Sequence, residues 1–135
     1  KNIDYVKEIK DFCDKNNARL VLVSTPSTKN WNYTKHNSIV DLADDLDVEY
    51  IDMNIPSSGV KIDWSKDSRD MGDHLNLRGA LKATNCLGEY LHEQNMFEDK
   101  RQDPEYSQWN KSVDEFNKKT KNSLDKDNKD NKDKK

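Results

Sequence analysis

The stretch SRDMGDHLNLRGA, residues 68 to 80, sets two carboxylates, Asp70 and Asp73, within four positions of His74, one of three histidines in the chain. A histidine held by an acidic partner has one tautomer fixed and its imidazolium form stabilised. That is what a general base needs when it takes a proton from a hydroxyl nucleophile. The same stretch opens a helix, where Asp and Asn are ordinary cap residues, so it reads as well as an N-capping loop with a solvated histidine. As metal ligands His74, Asp70 and Asp73 would make three. No second histidine or cysteine falls near them, and His36 and His92 belong to other elements, so no metal centre is expected. No cofactor-binding motif is read either.

Two further groups could do chemistry. STPSTKNWN, residues 24 to 32, carries the hydroxyls of Ser24, Thr25 and Ser27 at the end of an apolar run. No glycine-rich elbow surrounds any of them, so turn and cap roles are expected rather than nucleophilic attack. Asp52 with Asn54 follows a second apolar run and reads either as a turn acceptor or as a site carboxylate. Cys13 and Cys86 lie far apart with no second pair, which gives neither a disulfide framework nor zinc spacing. Each sits in a helical apolar stripe, where a small buried hydrophobe is expected.

These residues are positioned by a simple succession of elements. Ile3, Val6, Ile9, Phe12 and Cys13 recur at helical spacing over residues 2 to 16. RLVLVST, residues 19 to 25, is a short continuous apolar run ending at Pro26, as in a strand buried on both faces of a parallel sheet. A second helix is expected over 34 to 46, with Ile39, Val40, Ala43 and Leu46 on one face, and VEYID, 48 to 52, reads as a second strand. Helix, strand, helix, strand with short links implies an open α/β sheet. In such sheets ligands bind beyond the carboxyl ends of the strands, where the three groups above converge.

Residues 53 to 73 show no periodicity and read as a long loop, which in a compact domain points to function. A helix is expected from Leu77 to His92, with Leu77, Ala80, Leu81, Thr84, Leu87, Gly88 and Leu91 facing inward. DKRQDPEYSQW, 99 to 109, reads as an ordered extension with aromatic anchors. From about residue 117 the chain repeats Lys, Asp and Asn, and a disordered tail over 117–135 is expected beyond a domain of residues 1–116.

Composition supports that division. Of the 135 residues, 32% are hydrophobic and 36% charged, a low apolar share for one folded domain. Eight Lys and four Asp fall between Lys118 and Lys135, a balance of +4, which leaves residues 1–117 with 15 basic and 22 acidic groups and a balance of −7. An acidic body argues against nucleic acid as partner. No apolar run is long enough to span a bilayer and the first ten residues are amphipathic rather than leader-like, so neither a membrane span nor an export signal is read in this segment. A start inside a helical pattern without Met suggests a piece cut from something longer.

The strand ending at Pro26, the strand ending in YIDMN, and DMGDHLNLRGALKATNCLGEYL together resemble the C-terminal half of bacterial SGNH/GDSL hydrolases, over roughly residues 1 to 110. The DKRQDPEYSQW extension is similar to the tail such members carry. The resemblance implies the C-terminal half of a flavodoxin-like three-layer sandwich with parallel strands. It also implies that the block bearing the nucleophilic serine and the oxyanion-hole residues lie upstream. His74 maps onto the family's base. The family's acid stands three positions before the histidine, where this chain has Met71; Asp70, one residue further, is favoured as the acid, with Asp73 as the alternative.

The reaction so implied is attack of a serine alkoxide on an acyl ester, with transfer of the acyl group to water in an esterase or to a sugar hydroxyl in an O-acyltransferase. An acetylated or otherwise acylated glycan is the substrate class the resemblance suggests, and an extracytoplasmic or cell-surface setting in a bacterium goes with it. The rival is a non-catalytic α/β module that binds a glycan or a protein, with Trp31, Trp64 and Trp109 serving sugar stacking or packing.

Overall fold

The computed structural model describes residues 2–130, and the side chains of residues 2–121. Residues 131–135, part of the expected tail, lie outside the described residues. The chain divides into two compact units, Lys1–Cys86 and Leu87–Lys135.

The first unit opens with α1, Asn2–Lys15, and β1, Val21–Ser24, then α2, Tyr33–Leu46, and β2, Glu49–Asp52. The strands pair in parallel with Val21 opposite Glu49 and Ser24 opposite Asp52. Mixed α/β content with a parallel sheet is therefore what the alternation of apolar runs and helical stripes implied, and among the described residues the sheet has two strands. Register places the carboxyl ends of both strands side by side, so residues 24–31 and 52–54 share one edge. Asn32 caps α2 by accepting from the Lys35 amide at 2.9 Å, and Asp47, in a left-handed conformation, ends it. Leu42 and Ala43 on α2 and Met53 after β2 are buried apolar residues of this unit.

α1 buries none of its residues: Ile3, Ile9 and Phe12 are each more than half exposed. Val23, on β1, is 40% exposed, an apolar group on a strand with one neighbour. Cys13 is only half-buried, and so is Cys86, which corrects the expectation of two buried thiols.

The long loop runs from Met53 through a short 3-10 turn at Pro56–Ser58 to α3, Leu77–Glu93. Within the first unit α3 buries Gly79 and Ala83, whereas Ala80 and Thr84, expected to face inward, are exposed. The reason is steric. A side-chain carbon on Gly79 would collide with the backbone carbonyl of Asp67, so the helix seats itself on its smallest residues. Asp67 is fully buried, with Lys82 Nζ on Oδ2 and Arg78 Nε 3.5 Å from Oδ1.

In the second unit a short 3-10 turn at Pro104–Tyr106 leads into α4, Ser107–Asp130. The disordered tail expected from 117 is thus helical up to Asp130. Asp114 with Lys118 and Glu115 with Lys119 have the acid-before-base spacing of four that supports an exposed helix, and no Gly or Pro interrupts it. The aromatic anchors of the extension are also corrected: Tyr106 is 40% exposed and Trp109 71%. No helix among the described residues is long and apolar enough to cross a membrane.

Candidate active site

The loop from Asp70 to His74 owes its shape to one carboxylate. Asp70 Oδ1 accepts from the backbone amides of Asp73 at 2.9 Å and His74 at 3.0 Å, while Asp70 Oδ2 accepts from His74 Nδ1 at 2.8 Å. Between Asp70 and Asp73 the chain turns through Met71, which takes a left-handed backbone (φ 61°), and Gly72 at φ 155°. The loop thus folds tightly enough for a carboxylate four residues before the histidine to reach its ring. Asn76 then caps α3, its Oδ1 accepting from the amides of Arg78 and Gly79.

The residues after β1 clamp this loop from outside. Thr28 donates to the Gly72 carbonyl twice, from its amide at 2.7 Å and from Oγ1 at 3.0 Å. Ser27 Oγ donates to Asp73 Oδ1 at 3.0 Å and Asn30 Nδ2 donates to the same oxygen. Lys29 Nζ lies 3.2 Å from the Asp70 carbonyl and 3.4 Å from its Oδ2. Asp73 Oδ2 is left 3.8 Å from His74 Nδ1, a full ångström beyond the Asp70 oxygen. The carboxylate that holds the His74 ring is therefore Asp70.

The electrostatics follow the hydrogen bonds. Asp70 is held well below the usual carboxylate range, first by the amide of His74, then by its ring and by the amide of Asp73. His74 is raised above its ordinary value, chiefly by the hydrogen bond to Asp70 and the charges of Asp70 and Asp73. Its side chain is 73% exposed. Nδ1 is bound to the acid and Nε2 makes no hydrogen bond among the described residues, the arrangement of an imidazole whose outer nitrogen is available to a proton donor. Asp70, Asp73 and His74 can bring three ligand atoms within 4.8 Å of one another. Asp70 Oδ1 and Asp73 Oδ1 each already accept from two protein donors, and the Lys29 ammonium lies 3.4 Å from Asp70 Oδ2.

A second histidine–carboxylate pair, not anticipated from the sequence, lies at the same strand edge. Asp52, with a side chain 1% exposed, accepts from His36 Nδ1 at 2.7 Å, Trp31 Nε1 at 2.7 Å and Tyr50 Oη at 2.9 Å on Oδ2, and from the amide and Nδ2 of Asn54 on Oδ1. Burial pushes its pKa up, but the Asn54, His36 and Trp31 hydrogen bonds together bring it down to about 2. Burial raises Tyr50. Asn54 extends this network toward the loop, since its Oδ1 accepts from the Ser27 amide at 2.8 Å. The signal was present in the sequence: a histidine in the first turn of the helix after one strand, and an Asp ending the adjacent parallel strand.

Of the hydroxyls, Ser27 takes the turn role expected of it, whereas Ser24 accepts from a residue of the neighbouring strand. Ser24 Oγ pairs with Tyr50 Oη at 2.8 Å, and Ser27 Oγ, besides holding Asp73, accepts from the Asn30 amide at 2.9 Å. Among the described residues no serine hydroxyl is hydrogen-bonded to either histidine, and each ring is held at Nδ1 by a carboxylate. No family model, curated protein or solved structure matches the chain.

Proposed function

We propose that the chain is the C-terminal part of an SGNH/GDSL-type serine esterase or O-acyltransferase, contributing the histidine and acid of a Ser-His-Asp triad to a flavodoxin-like sandwich. The observation that carries this reading is the His74 Nδ1 to Asp70 Oδ2 hydrogen bond of 2.8 Å on an exposed imidazole at the carboxyl edge of a parallel sheet. In this reading His74 Nε2 takes the proton of a serine hydroxyl from the upstream block as that oxygen attacks the acyl carbonyl, then returns it to the departing alcohol. Asp70 keeps the ring in the tautomer with Nδ1 protonated and stabilises the transient imidazolium. Water or a sugar hydroxyl, deprotonated by the same nitrogen, resolves the acyl-enzyme. An acylated cell-surface glycan is the proposed substrate class, in an extracytoplasmic setting.

A fluorophosphonate, which captures only activated serines, should label the full-length protein and fail to label its His74→Ala variant. Equal labelling of both would remove the reading.

A further inference from the structure

A cleft of about 710 Å³ opens beside the clamped loop, and its wall includes Ser27 and Thr28, the residues that hold Asp73 and Gly72. That volume lies within the range of small-molecule sites. Its lining is dominated by Pro26, Trp31, Met53, Ile55, Ile62 and Trp64. What separates it from a sugar site is the state of its polar groups. Ser27 Oγ is spent on Asp73, Thr28 Oγ1 on the Gly72 carbonyl, Trp31 Nε1 on Asp52 and Asn32 Oδ1 on the Lys35 amide. Both ends of the Asn54 amide are occupied as well, by the Ser27 amide, the Thr25 carbonyl and Asp52.

A pyranose ring buried here would give up water at its hydroxyls and find few protein groups free to replace it, a cost of about 1–3 kcal/mol for each unsatisfied group. An apolar chain meets no such cost and removes aromatic and aliphatic surface from water on both sides. Resting on the esterase or acyltransferase reading above, we infer that this cleft is the subsite for the acyl group, and that it takes an apolar acyl chain longer than acetyl or an aromatic acyl group. Trp31 and Trp64 are then walls of an acyl pocket rather than sugar platforms. Tyr33, 64% exposed, and Lys61, also exposed, complete the lining.

Binding of the acid product needs no turnover, which separates this inference from the catalytic one. Tryptophan fluorescence of the full chain, titrated with octanoate, acetate and maltotriose, should change saturably with octanoate alone. Ile62→Asp, and independently Ile55→Asp, should weaken octanoate by about tenfold or more, because each sets a charge against the bound chain. Saturable binding of maltotriose, equal response to acetate and octanoate, absence of octanoate binding, or indifference of both aspartate variants, each shown folded by circular dichroism, would overturn the assignment. If octanoate binds as described and the fluorophosphonate experiment fails, the cleft stands and the triad does not.

Discussion

Ser27 Oγ and Asp73 Oδ1 lie 3.0 Å apart across 46 residues of chain, and that contact decides which carboxylate serves His74. Asp73 is the nearer in sequence, yet Ser27 and Asn30 turn it toward the loop after β1, and Asp70 takes the imidazole. The first prediction follows. In a histidine titration by NMR, Asp70→Asn should lower the His74 pKa clearly, whereas Asp73→Asn should lower it less, since Asp73 acts only by charge at longer range. The reverse order would transfer the acid role to Asp73.

Much of this fold was legible because it rests on local patterns. The apolar runs near Val21–Ser24 and Glu49–Asp52 and the helical stripes around them lie within a residue or two of the observed elements. The inner face of α3 was not legible, because hydrophobicity points to its leucines while the close approach of the Asp67 carbonyl selects Gly79. α4 was hidden by composition, which in a Lys, Asp and Asn repeat masks favourable spacing. In the site, the carboxylate partner of His74 was narrowed to two residues with Asp70 favoured; what the sequence did not show is that Ser27 and Asn30, which no periodicity connects to the loop, hold Asp73 away.

The raised pKa of His74 also sets a pH dependence. A histidine raised in the folded state contributes stability that is fully present below its unfolded value near 6.5 and is lost as pH rises through the higher folded value. Melting temperature should therefore decline as pH is raised through the window just above 6.5, and the decline should be smaller in Asp70→Asn, where only the charge of Asp73 remains.

Asp52 works in the opposite direction. Its folded pKa of about 2, against an ordinary 3.8, contributes on the order of 2 kcal/mol above pH 3.8, and this is lost as pH falls through about 2. Asp52→Ala removes that contribution and strands the donors of His36, Trp31 and Tyr50. Urea unfolding at neutral pH should show a loss of about 3 kcal/mol, and a loss below about 1 kcal/mol would mean that the network is not structural.

Gly72→Ala tests the clamp. A side-chain carbon there would run into Thr28 Oγ1, in a backbone conformation that non-glycine residues rarely adopt. The expected result is a loss of about 1–3 kcal/mol in thermal unfolding, together with a His74 pKa nearer its ordinary value. An unchanged His74 titration would show that the loop keeps its shape without Thr28.

If His74 is the base of a serine esterase and Asp70 orients it, as proposed, ester turnover by the full-length protein depends on both. His74→Ala should reduce hydrolysis of an aryl ester by several orders of magnitude with the fold intact, leaving only the residual rate that binding and oxyanion donors provide. Asp70→Asn should cost far more than Asp73→Asn in the same assay. Full activity in His74→Ala, on aryl esters and on acylated glycans alike, would exclude His74 as the base and leave it a solvated histidine in a capping loop.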